Sequence, residues 1–118
     1  MKTLKFKDHL AQAILRGEKD STWRLFDDKG LSLGDLLRLV NKDSGDEFAR
    51  ASIVSILEKS LGEVAQADLD GHEPYYANFD EMYKAFRGYY GDRVSPESRL
   101  KIIRFQLLDV SDKAHEDR

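Results

Sequence analysis

The feature that most constrains the fold is a set of alternating apolar and polar segments, as in strands, that are mostly joined by short turns. Such segments occupy residues 36–40, 48–57 and 101–107. Strands joined by turns this short pair antiparallel, because a parallel pair needs a crossover of a dozen or more residues. The sequence therefore predicts an α+β domain with a curled, mostly antiparallel sheet or a small barrel.

The remaining pattern brings the predicted total to about five strands with two or three helices between them. A first strand places Leu4 and Phe6 on one face, and a helix begins near Asp8. A later helix begins after Asn78, which suits an N-cap position, and carries an apolar stripe at spacings of three and four residues. Too few strand–helix–strand crossovers can be placed for a doubly wound parallel sheet.

The length of 118 residues predicts one domain with a single core. We assign that domain to residues 1–108 and expect residues 109–118 to form a polar, frayed tail. In the run 48–57 both alternating faces carry apolar residues, so we expect both faces to be largely buried.

Composition and charge exclude several classes of function. The chain has no cysteine, which excludes thiolate catalysis and cysteine-ligated zinc or iron–sulfur sites. It has 19 basic and 22 acidic residues, a balance that argues against binding an extended nucleic-acid duplex through its phosphates. No apolar run approaches the roughly 20 residues needed to cross a membrane. We expect a cytoplasmic protein without a membrane partner, and the oligomeric state stays open.

The segment with the most chemistry is Gly-Glu-Lys-Asp-Ser-Thr-Trp-Arg at residues 17–24. Gly17 should end the preceding helix, and a strand should follow. If Trp23 faces the core on that strand, Thr22 and Arg24 face the other way. Together with Lys19 they would present an ammonium, a hydroxyl and a guanidinium, which suits an anionic or carbonyl-bearing ligand.

Each of these residues also has an ordinary structural interpretation. Lysine is most often a solvated surface residue, and threonine is a good strand former in any sheet. Lys19 beside Thr22 instead has the logic of a base that activates a hydroxyl nucleophile. Arg24 could anchor a ligand or form an ion pair with a nearby aspartate, and spacing alone leaves both open. The aspartates in question are Asp20, Asp27 and Asp28.

A second candidate cluster, Asp-Gly-His-Glu at residues 70–73, precedes a proline and should form a loop. Glu73 could serve as a general acid or base, and its carboxylate would complement Lys19. His72 could contact the ligand or cap the loop with a hydrogen bond. Adjacent ligands are poor metal spacing, so we expect no metal site. Tyr75 could line a pocket and stack on a nucleobase, whereas Tyr83 and one of Tyr89 and Tyr90 should lie in the core. Without a glycine-rich phosphate loop or a dinucleotide fingerprint, we expect no cofactor.

The motif at residues 17–24 resembles that of the ASCH domain, a family of the PUA-like superfamily. The likeness extends to Gly34-Asp35, to Gly-His-Glu at residues 71–73, to Tyr-Tyr-Gly at residues 89–91, and to the strand at residues 101–105. The resemblance covers about residues 2–108. It implies a PUA-like small β-barrel with flanking helices and a cleft beside the motif strand.

The resemblance also implies a ligand class. The family is linked to RNA metabolism, and a branch of small bacterial members hydrolyses the amide of N(4)-acetylcytidine with a lysine, a threonine and a glutamate. The first two match Lys19 and Thr22 in register, and Glu73 is the candidate for the third. Two functions follow as alternatives: an amidohydrolase acting on N(4)-acylated cytidine, or a non-catalytic module that binds short RNA or a modified nucleotide.

Overall fold

Strands and helices follow one another in the order that the sequence pattern predicts. The computed structural model describes residues 1–26, 29–70 and 76–110, without the side chain of Asp70. Within these residues the elements in chain order are β1 (Lys2–Phe6), α1 (Asp8–Leu15), β2 (Ser21–Leu25), β3 (Leu36–Asn41), β4 (Glu47–Ser60), α2 (Gln66–Asp70), α3 (Phe79–Tyr90) and β5 (Arg99–Val110). A single 3-10 turn, Leu61–Glu63, separates β4 from α2.

The strands form one mixed sheet in the order β1-β3-β4-β5-β2. β3 and β4 pair antiparallel through the short turn predicted at residues 41–46, with a register shift between Leu39 and Val40. β1 pairs parallel with β3, and the intervening α1 and β2 provide the long connection that a parallel pair needs. The α+β, PUA-like class predicted from the sequence is confirmed.

The chain divides into two compact units, each with its own apolar core. The first unit comprises Met1–Thr22, Asp28–Ile56 and Ile103–Arg118, and its core includes the inward-facing residues of β1, β3 and β4. Leu4 and Phe6 are both buried there, as their alternation predicts. The second unit comprises Trp23–Asp27 and Leu57–Ile102, and its core is built around Met82 and Phe86 of α3. The single core expected from length is therefore two clusters.

The start and end of α3 show how local sequence places a helix. The Asn78 side chain accepts a hydrogen bond of 3.0 Å from the Glu81 backbone N–H, which satisfies one of the unpaired donors of the first turn. After Tyr90, Gly91 adopts a φ of 83°, a conformation that costs glycine little. The start of the helix after Asn78 agrees with the sequence prediction.

Two expectations about the strands are corrected. Burial of both faces of residues 48–57 is wrong, because Val54 and Leu57 are 45% and 50% exposed while Ala51 and Ile53 are buried. From Ala49 to Val54 this strand has one solvated face, as antiparallel strands commonly do; farther along, Leu57 is exposed although it has the parity of the buried Ile53. β5 continues to Val110, two residues beyond the predicted end of the domain. The structure also shows that β2 ends at Leu25, where Phe26 adopts a φ of 53°.

Within the first unit, an ion pair ties β1 to the turn before β3. Lys2 Nζ lies 2.7 Å from Asp35 Oδ2 and 2.7 Å from the Gly30 carbonyl oxygen. The Ser32 backbone N–H donates to the same carboxylate oxygen at 2.8 Å. The hydrogen bond from Lys2, followed by that from Ser32, lowers the pKa of Asp35 below its ordinary value.

This geometry predicts an acid-dependent contribution to stability. Because folding lowers the pKa of Asp35, the contribution is present at neutral pH and is lost as pH falls below about 4 through the folded-state value. Asp35→Asn should therefore lower the melting temperature at pH 7 by more than at pH 2.5. The control is Asp109→Asn on the exposed part of β5, and equal losses at both pH values for Asp35→Asn would contradict the prediction.

Candidate functional site

The candidate site begins where α1 ends. Arg16 caps the helix, and Gly17 adopts a φ of 78°. The Gly17 N–H donates to the Ile14 carbonyl oxygen at 3.0 Å, and the Glu18 N–H donates to the Ala13 carbonyl oxygen at 2.9 Å. These bonds satisfy carbonyl groups of the last helical turn and end the helix shortly before Lys19.

Lys19 is a buried lysine. It is 7% exposed, and its Nζ lies 5.9 Å from the centroid of the Phe6 ring on β1. A charged ammonium in a dry environment is costly unless other groups compensate it, and an aromatic ring face is one such group. The interpretation of Lys19 as a solvated surface residue is therefore wrong.

Thr22 lies on β2 and is also 7% exposed. It belongs to the same compact unit as Lys19 and Phe6. Between Lys19 and Thr22, the Asp20 carbonyl oxygen accepts a hydrogen bond of 2.9 Å from the Phe105 backbone N–H of β5. The loop that carries the amine is thus attached to the sheet one residue after Lys19. An amine and a hydroxyl held on an anchored segment are suited to proton transfer or to ligand binding.

The alternation predicted for β2 is confirmed on its core-facing side. Trp23 is 8% exposed and Leu25 is 2% exposed, both in the second core. The Trp23 ring stacks on Phe86 with centroids 6.4 Å apart and an interplanar angle of 3°. Trp23 is therefore a core residue and not a stacking platform for a base. Arg24, on the same strand, is half-buried. Its role as a ligand anchor or as an ion-pair partner stays a prediction.

Three of the predicted site residues, His72, Glu73 and Tyr75, lie outside the described residues. Of the other tyrosines, Tyr83 packs against the second core and donates a hydrogen bond of 3.1 Å to the Val94 carbonyl oxygen. Tyr90 packs there as well, whereas Tyr89 is 67% exposed. The expected division of the tyrosines between core and surface is confirmed for this part of the chain.

The described ranges contain no group of three or more His, Asp or Glu side chains arranged to hold a metal ion. No helix in residues 1–26, 29–70 and 76–110 is long and apolar enough to span a membrane. Among the described residues, the candidate site comprises Lys19 and Thr22 of the motif, with the Phe6 ring against the amine.

The sequence analysis missed the role of Phe6. It placed this residue correctly in the core face of β1, but it gave no indication that the ring faces Lys19. The two residues are 13 positions apart and lie on different elements, so neither helical nor strand periodicity relates them. An aromatic residue at the last position of a strand was the only available signal.

Known structures decide the fold. Neither a protein-family model nor a curated protein matches the sequence. Solved structures do match: a protein of Enterococcus faecalis V583 from family DUF984 is 14% identical with a TM-score of 0.78, over 98% of this chain and 81% of that one. The ASCH domain of Lactobacillus crispatus JV V101 is 17% identical with a TM-score of 0.70, over 92% of this chain and 80% of that one. The chain has the ASCH-domain fold.

A third ASCH-fold structure extends the comparison. The ASCH protein of Zymomonas mobilis is 11% identical with a TM-score of 0.60, over 98% of this chain and 76% of that one. At such low identity the likeness concerns the backbone alone. Whether this ASCH fold binds or transforms a ligand must therefore be argued from its own side chains.

The turn that delivers Lys19 can be tested with a matched pair of glycine substitutions. Gly17→Ala places a Cβ in open space but at a φ of 78°, so it should destabilise the protein by about 1 kcal/mol. Gly88→Ala also meets open space, within the exposed face of α3, and should stabilise by about 0.5–1 kcal/mol. Chemical denaturation measures both, and stabilisation by Gly17→Ala would contradict the assigned backbone conformation.

Proposed function

We propose that this chain is an ASCH-family amidohydrolase that removes an acyl group from the N4 amine of a cytidine nucleoside. The observation that carries the proposal is the burial of Lys19 and Thr22 on one anchored segment, each 7% exposed. A lysine needed only for solubility would extend into water. A buried amine on the same short segment as a strand-borne hydroxyl instead suits a general base and the nucleophile that it activates.

The proposed reaction begins with the Thr22 hydroxyl oxygen attacking the acyl carbonyl carbon. The neutral amine of Lys19 accepts the hydroxyl proton as the new C–O bond forms. The bond between the carbonyl carbon and N4 then breaks, and the departing amine takes up a proton. Water hydrolyses the resulting ester on Thr22, which releases the carboxylic acid and restores the hydroxyl.

The remaining residues of the proposed site take the roles that the sequence assigns to them. Glu73 carries protons between Lys19, water and the departing amine, and Arg24 holds polar groups of the ligand. His72 and Tyr75 complete the ligand contacts. Each of these assignments is independent, so single substitutions test them separately.

The test is hydrolysis of N(4)-acetylcytidine by the purified protein, followed as release of cytidine by chromatography. Lys19→Met and Thr22→Val keep most of the side-chain volume and should each lower kcat by about a hundredfold or more. Lys5→Met, on the exposed face of β1, and Thr3→Val, on the same strand, should leave kcat within about twofold.

The expected comparison depends on folded variants, so melting temperatures are measured alongside activity. A wild-type protein that releases nothing from a panel of N4-acylated cytidines would refute the proposal. Equal activity of Thr22→Val and wild type would refute the role of the hydroxyl as nucleophile.

A second candidate function is recognition of a short RNA or modified nucleotide without turnover. Arg24 supports it, because a half-buried guanidinium on a strand is preorganised for a phosphate or a base edge. Fluorescence anisotropy with a labelled RNA of about ten nucleotides should then show binding that weakens with salt.

Arg24→Gln should weaken this RNA binding by about tenfold, the loss of one charge-assisted contact. Arg99→Gln, at the exposed start of β5, is the matched control and should have little effect. No binding by the wild-type protein at low salt would exclude this second candidate.

A further inference from the structure

The Phe6 ring occupies a position that the proposed reaction can use. Phe6 is 4% exposed, and Lys19 Nζ lies 5.9 Å from its ring centroid. At this distance the negative face of the ring attracts a cation, and the attraction is stronger when water is excluded. A neutral amine has no comparable attraction. The contact therefore stabilises the protonated form of the Lys19 amine more than the neutral form.

Phe6 is itself firmly held. Its backbone lies in the parallel ladder opposite Asn41, and its carbonyl oxygen accepts a hydrogen bond of 2.7 Å from the Lys42 N–H. On the other side, its ring meets that of Phe105 with centroids 6.3 Å apart and planes tilted by 50°. The ring thus has little freedom to move away from the amine.

Phe105 connects the two ends of this arrangement. Its ring contacts Phe6, and its backbone N–H donates to the Asp20 carbonyl oxygen at 2.9 Å. Phe105 of β5 therefore contacts both the backbone beside Lys19 and the ring that faces its amine. A lysine side chain has four rotatable carbon–carbon bonds, and two such contacts restrict where its end can lie.

From these contacts we infer that Phe6 is a positioning residue for Lys19. The Phe6 ring holds the amine in place and stabilises the ammonium that forms when the Thr22 proton is transferred. The inference rests on the proposed function for its kinetic consequence and on the geometry alone for its structural one. Because the attraction grows with the charge of the amine, Phe6 acts mainly on the transition state and less on ligand binding.

The kinetic test uses Phe6→Leu, which keeps an apolar side chain but removes the ring. It should lower kcat for N(4)-acetylcytidine by about tenfold while KM changes by less than about twofold. Phe6→Tyr keeps the ring and should retain kcat within about threefold. The matched control is Phe48→Leu, because Phe48 is 5% exposed in the same core, and its kcat should stay close to that of wild type.

A spectroscopic test does not depend on activity. In NMR spectra of protein with isotope-labelled lysine, the ε-methylene protons of Lys19 should be shifted upfield by the ring, and Lys19→Met identifies their signal by its loss. Phe6→Leu should return this signal to the position of the exposed lysines, whereas Phe6→Tyr and Phe48→Leu should leave it shifted.

The two tests separate the inference from the proposed function. A Lys19 signal that is unchanged in Phe6→Leu would overturn the inference, as would an active wild type whose kcat survives Phe6→Leu. An inert wild type whose Lys19 signal still moves in Phe6→Leu would refute the amidohydrolase while supporting Phe6 as the residue that positions the amine.

Discussion

The arrangement on which the candidate chemistry depends is the burial of a lysine against an aromatic ring. Removing an ammonium from water is costly, so a fold that keeps Lys19 7% exposed must supply compensating groups around it. Phe6 is one of them, and its own position follows from the pairing of β1 with β3. The sheet therefore contributes to the site directly, because strand pairing fixes the position of the Phe6 ring that contacts the amine of Lys19.

The two cores explain why one short motif contains residues of such different environments. Thr22 belongs to the first compact unit, and Trp23, the next residue, packs on Phe86 in the core of the second. Alternation along a strand sends neighbouring side chains to opposite faces, so consecutive residues of β2 can have different surroundings. In β2 the polar residues Thr22 and Arg24 have one parity, and the apolar residues Trp23 and Leu25 have the other.

The fold is shared with ASCH-domain structures of Lactobacillus crispatus and Zymomonas mobilis at 10–17% identity. Such a likeness reflects the pattern of apolar positions and turns, which many sequences satisfy, and it does not transfer an activity. The case for a hydrolase therefore depends on particular side chains of this chain. Two of them, Lys19 and Thr22, are buried where a surface role would have left them exposed, and the assignment of Glu73 remains with the resemblance.

Local sequence determined most of the elements, because their signals are local: the N-cap Asn78, the positive-φ Gly17 and Gly91, and the alternation of β2 each act within a few residues. It also singled out Lys19 and Thr22. Tertiary structure decided that β1 pairs parallel with β3, that the outer face of β4 is solvated at Val54, and that Phe6 faces the amine. These outcomes depend on contacts between residues far apart in the chain, which no short-range periodicity encodes.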